Sequence, residues 1–190
     1  MNKKKVIILG PRGQYNHLIY RRVNELDYEA YLYDFYEDVQ IEGDAVIIGG
    51  GPARLEKNSY EVKKVKEIVD RLNKPILGIC LGFQILSLIF NGELTTAKPN
   101  FGPKKIYIKK YDEIFEGMPK EFTAWESHND TLSKIPKNFE VLAISKDKNS
   151  EVIEVIKHIN KPFYGVQFHP EVDHTEFGKL ILKNFLKFHV

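Results

Sequence analysis

Short apolar runs and amphipathic stretches alternate along the first half of the chain. Val6 to Leu9 is a compact β-branched run that predicts a buried strand, closed by the turn Gly10-Pro11-Arg12-Gly13. A helical pattern follows from about Gln14, with Tyr15, Leu18, Ile19, Val23 and Leu26 on one face. Alternation in Ala30-Tyr31-Leu32-Tyr33 predicts a second strand, and Asp44-Ala45-Val46-Ile47-Ile48 a third that Gly49-Gly50-Gly51-Pro52 stops. Ser59 suits an N-cap, and Val62, Val65, Ile68, Val69 and Leu72 recur behind it at helical spacing. Residues 75 to 79 form a further short apolar strand opened by a proline, and residues 83 to 90 carry an apolar helical face.

Beyond Asn91-Gly92 the pieces become shorter and strand-like: 105 to 109, 121 to 125, 141 to 145 and 151 to 157. Turn residues separate them at Asn100-Phe101-Gly102-Pro103, Ser127-His128-Asn129-Asp130 and Asp147-Lys148-Asn149-Ser150, which predicts antiparallel pairing. A strand over 162 to 168 and an amphipathic helix over 176 to 189 close the chain, the helix with Phe177, Leu180, Ile181, Phe185 and Leu186 inward. The expected fold is α/β, a mainly parallel open sheet flanked by helices on both faces with an additional small antiparallel portion. Its 190 residues suit a single domain spanning 1–190.

Composition narrows the class. The net charge is +2 with charged residues at 28% and no basic cluster, so neither nucleic acid nor membrane is an expected partner. One cysteine excludes an internal disulfide and offers no zinc site, which fits a reducing cytoplasm. The apolar run at the N-terminus is too short for a signal peptide or a membrane span.

That cysteine sits in Gly78-Ile79-Cys80-Leu81-Gly82, between a predicted strand and a predicted helix. A side chain on such a turn is presented as a nucleophile, and the helix start favours thiolate and a developing oxyanion. A buried inert thiol is the bland alternative. In open α/β sheets, sites lie outside the carboxyl ends of the strands. Three predicted strands end there in Gly49 to Pro52, Cys80 and His169-Pro170-Glu171. The proline holds His169 extended, so Glu171 falls on the same side and can orient its ring as the base for Cys80. Alone, His-Pro-Glu would read as a solvated turn and the glycine run as a flexible loop. With Cys80 they read as a nucleophile, a base, an orienting acid and an oxyanion turn in which Gly51 and Leu81 offer backbone N–H groups. No phosphate loop is present, since neither Gly-Lys-Ser/Thr nor Gly-x-Gly-x-x-Gly follows the strands.

Gly78-Ile79-Cys80-Leu81-Gly82-Phe83-Gln84 with His169-Pro170-Glu171, and the glycine-proline turn before them, resembles the triad-type (class I) glutamine amidotransferase family over residues 6 to 188. Gly13-Gln14-Tyr15, Trp125-Glu126-Ser127-His128-Asn129-Asp130 and His169-Pro170-Glu171-Val172-Asp173-His174-Thr175 are similar to the glutaminase of GMP synthetase within that family. The resemblance implies a flavodoxin-like sheet. It also implies that Cys80 attacks L-glutamine, His169 moves the proton, Glu171 orients His169, and Gly51 and Leu81 hold the oxyanion. Gln84 and the backbone at Ser127 and His128 would bind the substrate. It implies no cofactor in this chain, with ATP and Mg²⁺ on a separate ATP-pyrophosphatase subunit that forms a heterodimer and aminates XMP.

Several positions depart from that pattern. Phe83 stands where histidine or methionine is common, Gly49 where serine is usual, and Gly10-Pro11-Arg12 replaces an acidic-Asn/Phe-Gly pattern. His128 and Asp130 are candidates for coupling at the partner interface, with two polar turn residues as the alternative, and His17 and His174 read as structural or as supports behind the site. Rival readings are a glutaminase serving anthranilate or carbamoyl phosphate synthesis, a γ-glutamyl peptide hydrolase, and a non-catalytic regulatory subunit that keeps the fold.

Overall fold

The computed structural model describes residues 2–190. Its first half runs β1 (Lys5–Gly10), α1 (Asn16–Glu25), β2 (Glu29–Asp34), β3 (Ala45–Ile48), α2 (Tyr60–Arg71), β4 (Ile76–Ile79) and α3 (Leu81–Ile89). The second half runs β5 (Glu93–Ile108), β6 (Glu121–Lys134), β7 (Phe139–Asp147), β8 (Ser150–His158), β9 (Phe163–Val166) and α4 (Gly178–His189). All these strands join one nine-stranded sheet in the order β2-β1-β3-β4-β9-β8-β7-β5-β6.

The five strands from β2 to β9 are mutually parallel, as the buried apolar runs predicted. β3 and β4 are buried at every position, so successive side chains on both sheet faces must be apolar. Helices supply the cover. Ile19 and Val23 of α1 with Ile181, Leu182, Phe185 and Leu186 of α4 pack one face, and α2 and α3 pack the other. Val62, Val65, Ile68 and Val69 are the buried stripe of α2, each worth about 1.5–3 kcal/mol on transfer from water.

The antiparallel portion is continuous with the parallel one rather than a separate sheet. β9 pairs parallel with β4 on one side and antiparallel with β8 on the other, and β7, β5 and β6 follow. These strands curl back until the His169 N–H donates to Trp125 O of β6 at 3.0 Å. The turn at 147 to 150 forms as expected between β7 and β8.

Two other expected turns do not form. Residues 100–103 and 127–130 lie inside β5 and β6, which pair through them, Asn100 opposite His128, Phe101 opposite Ser127 and Asp130 opposite Thr96. Inward positions of β6 alternate as Phe122, Ala124, Glu126 and His128, so polar side chains interrupt an otherwise regular strand pattern. Pro99 and Pro103 are tolerated because β7 pairs only with Ile106–Ile108, leaving the earlier part of β5 open on that side. Among the described residues no helix is long and apolar enough to cross a membrane.

Candidate active site

Cys80 sits at the junction of β4 and α3 with φ 54° and ψ −104°, a backbone state that costs a non-glycine residue about 1–3 kcal/mol. The neighbours explain how the turn closes. A Cβ added at Gly82 would overlap the Ile48 carbonyl oxygen, and one at Gly78 would overlap the Gly82 carbonyl oxygen. Both glycines are therefore close-approach positions, which is the reason for the small-x-Cys-x-small spacing. The Cys80 N–H donates to Val166 O at 2.9 Å and Gly82 N–H to Gly49 O at 3.2 Å, tying the turn to the ends of β9 and β3.

His169, Glu171 and Cys80 come together as predicted. His169 Nδ1 lies 2.7 Å from Glu171 Oε1, both side chains being buried. Burial opposes a charged ring, but the Glu171 carboxylate and the hydrogen bonds to Cys80 and Glu171 outweigh it and raise the His169 pKa to about 11. Tyr15 packs its ring edge-on against His169 at 5.0 Å. Thr175 Oγ1 donates to His169 O at 2.6 Å and accepts from Trp125 N–H at 2.9 Å, so the segment after β9 is laced to β6. Arg22 of α1 donates to the Glu171 carbonyl at 3.3 Å and pairs with Glu25 and Asp173.

The glycine turn lies against this pair through Gly50, whose added Cβ would stand 3.1 Å from His169 Cε1 and 3.9 Å from Cys80 Sγ. Gly50 O accepts from Asn16 Nδ2 at 3.0 Å. A trans peptide points its C=O and its N–H in opposite directions, so this bond turns the Gly51 N–H away from Asn16. Gly51 and Leu81 both line the cavity that holds Cys80, and Leu81 opens α3, where N–H groups have no intrahelical acceptor.

The cavity is about 630 Å³ and is also lined by Gln84, Ser127, His128, Asp130 and His169. Cys80 Sγ donates to Ser127 O at 3.7 Å. Gln84 Nε2 donates to Asp130 O at 3.0 Å and to Gln167 Oε1 at 3.2 Å, which uses both its donors and leaves Oε1 as the atom it can offer a ligand. His128 is buried, its Nδ1 2.9 Å from Asp130 O, so its ring supports the strand behind the cavity wall.

The family model for class I glutamine amidotransferases matches residues 10–188. This chain belongs to the class I glutamine amidotransferase family. It is 41% identical over 186 residues to a glutamine-hydrolyzing GMP synthase subunit of Ignicoccus hospitalis, covering 96% of this chain and 97% of that one. It is 43% identical over 190 residues to the corresponding GMP synthase subunit of Methanococcus maripaludis, covering 96% and 95%. A crystal structure from Thermoplasma acidophilum, provisionally assigned to the same type of GMP synthase subunit, superposes with a TM-score of 0.87 at 30% identity, covering 98% of this chain and 94% of that one.

Several residues of this amidotransferase's site carry no motif of their own. Asn16 belongs to the buried stripe Asn16, Ile19 and Val23 of α1, and an amide on an apolar stripe is the signal that marks it. Gly49 is explained by the same side chain, because an added Cβ there would overlap Asn16 Oδ1. Phe83 is fully buried in the core with α2 and does not line the cavity. His17 is exposed and away from the cavity, and His174 packs on Trp125 at 4.9 Å.

Proposed function

We propose that this chain is the glutaminase subunit of GMP synthase, a single domain over 1–190 that hydrolyses L-glutamine and passes ammonia to a separate ATP-pyrophosphatase subunit that aminates XMP. The observation that carries the chemistry is the buried His169–Glu171 pair, 2.7 Å apart, next to Cys80 in a cavity edged by the glycine turn. The destination of the nitrogen is supported by the relatives, which are named as glutamine-hydrolyzing subunits of GMP synthase. ATP and Mg²⁺ belong to the partner, and the cytoplasm suits a protein whose one thiol must stay reduced.

Cys80 sulfur attacks the side-chain amide carbon as thiolate, with the His169 imidazolium alongside. The oxyanion that forms is held by the N–H groups of Gly51 and Leu81. His169 gives its proton to the amide nitrogen, the C–N bond breaks, and ammonia leaves a γ-glutamyl thioester on Cys80. His169 then takes a proton from water, whose oxygen attacks the thioester, and glutamate departs as the C–S bond breaks. Glu171 keeps Nδ1 of the ring protonated throughout, so that Nε2 faces the reaction. Gln84 and the 127–130 backbone hold the amino acid end of the substrate.

The test is glutamate release by the wild type and Cys80→Ala, with and without the synthetase subunit, XMP, ATP and Mg²⁺. Wild-type turnover is expected to rise in the complete mixture and to vanish in Cys80→Ala. Wild-type turnover retained by Cys80→Ala would sink the mechanism, and preference for a γ-glutamyl peptide over glutamine would sink the substrate.

A further inference from the structure

Behind the cavity wall, the curled antiparallel strands enclose a cluster that the mechanism above does not use. Glu126 on β6 and Glu154 on β8 are each 1% exposed and lie near enough for the charge of Glu126 to raise the pKa of Glu154. Ser145 Oγ on β7 donates to Glu154 Oε1 at 2.6 Å. His128 Nε2 lies 2.6 Å from Glu126 Oε2, and Nδ1 of the same ring lies 2.9 Å from Asp130 O. Asp130 O also accepts from Gln84 Nε2, whose second donor goes to the buried Gln167. Of the other charged groups, His169 and Lys104 of β5 act on Glu126 through their charge.

The balance of donors and acceptors decides how these contacts can exist. A carbonyl oxygen only accepts, so Nδ1 of His128 must carry a hydrogen towards Asp130 O. In a neutral ring Nε2 is then a bare lone pair, facing a carboxyl oxygen at 2.6 Å. Two acceptors at that distance repel, so a proton lies between them. Between the two carboxyl groups, likewise, neither oxygen can donate unless one group holds a proton. Among the described residues neither oxygen of Glu126, nor the second oxygen of Glu154, nor Nε2 of His128 has a fixed hydrogen-bond partner, leaving protons held on the carboxyl groups as the means of pairing them. Ser145 O–H to Glu154 and His128 Nδ1–H to Asp130 O are the fixed ends of the group, and protons on the two carboxyl groups, Glu154 to Glu126 and Glu126 to His128 Nε2, are what would join those ends into one directional chain.

We propose that Glu126 and Glu154 act as carboxylic acids that position the Asp130 and Gln84 wall of the glutamine cavity through His128, and that glutamine binds well only while this chain holds its protons. The proposal rests on reading the cavity as the glutamine site. The electrostatics agree. Burial pushes Glu126 up to about 7, against the lowering effects of Glu154, His169 and Lys104. Glu154 is pushed well above the usual carboxylate range by burial and by the Glu126 charge, and burial lowers His128 so that its ring is neutral. When the Glu126 proton leaves, its carboxylate faces the His128 lone pair and the support of Asp130 O is broken. Glu126 and Glu154 touch no reacting atom, so the effect falls on KM and not on kcat.

Glu126→Gln separates this from simple packing. Its amide N–H donates permanently to His128 Nε2 and its carbonyl accepts from Glu154, reproducing the protonated chain without a labile proton at position 126. In the reconstituted complex, wild-type KM for glutamine is expected to rise about tenfold as pH passes from acid to alkaline of neutrality, the cost of one buried hydrogen bond. Glu126→Gln should hold the low KM across the same range, and Glu126→Ala should have a high KM throughout, with kcat near wild type in both. A flat wild-type KM, or a Glu126→Gln profile that follows the wild type, would overturn the proposal. Infrared titration of the full chain gives a readout independent of turnover. A protonated-carboxyl band should persist at neutral pH in the wild type and weaken in Glu126→Gln and in Glu154→Gln, and its absence from the wild type would overturn the proposal as well. If the complex hydrolyses no glutamine, the functional reading falls, and the infrared result still decides the protonation of the cluster.

Discussion

The side-chain amide of Asn16 donates to the Gly50 carbonyl at 3.0 Å, and by doing so it decides which way the Gly51 N–H points. One helix residue thus sets the direction of the N–H group we propose as an oxyanion donor, in a glycine turn that has little rigidity of its own. Replacing Asn16 by Ala frees the peptide to rotate without touching Cys80, His169 or Glu171. We expect kcat for glutamine hydrolysis to fall by about 10- to 100-fold, less than the roughly 10²–10³ that follows outright removal of such a donor, with KM near wild type. Steady-state kinetics at saturating glutamine checks this, and an unchanged kcat would remove Gly51 from the oxyanion site.

Glu171→Gln keeps the shape of the orienting residue and removes its charge. The His169 ring, held up to about 11 mainly by that charge against the lowering effect of burial, should return below the ordinary imidazole range, and kcat at neutral pH should fall by about 10²–10⁴. Stability carries a second signature. Because the folded pKa of His169 lies above the unfolded one, its contribution is complete below the ordinary imidazole value of 6.5 and is lost as pH rises through about 11. Thermal unfolding across that window should therefore show a decline in the wild type that Glu171→Gln lacks. Parallel curves for the two proteins would contradict the assignment.

Gly82→Ala tests the elbow itself. An added Cβ there runs into the Ile48 carbonyl, a backbone atom that cannot swing aside. The expected loss is about 1–3 kcal/mol or more in denaturant unfolding, with loss of turnover as the Cys80 turn opens. Gly102→Ala is the contrast. That glycine has φ +108° but nothing within 4 Å of an added Cβ, so its cost is backbone strain alone and turnover should survive. Equal damage from both would mean that close approach is not what the elbow glycine provides.

The parallel half of the fold was legible because its strands are uninterrupted apolar runs and its helices keep one apolar stripe, so local pattern and tertiary position agree. The same clarity extended to Cys80, His169 and Glu171, each placed at a strand end by its own motif. It failed in β5 and β6. Ser127-His128-Asn129-Asp130 has turn composition, yet Glu126 and His128 face inward from a continuous strand and meet 2.6 Å apart, a pairing that turn composition does not foretell. Asn16 was hidden for a related reason: its partner is a carbonyl 34 residues away, and a backbone acceptor leaves no trace in side-chain spacing.

One sheet carries both Cys80 and the cavity wall that faces it, and β9 is the seam between them. Cys80 belongs to the parallel side, Ser127 to Asp130 ride on the outermost antiparallel strand, and the bonds from Trp125 to His169 and Thr175 fasten the two across the gap. The width of the opening over the sulfur is therefore set by how the β5–β6 ribbon is held against the end of β9, and residues far from Cys80 in sequence define the space in front of it.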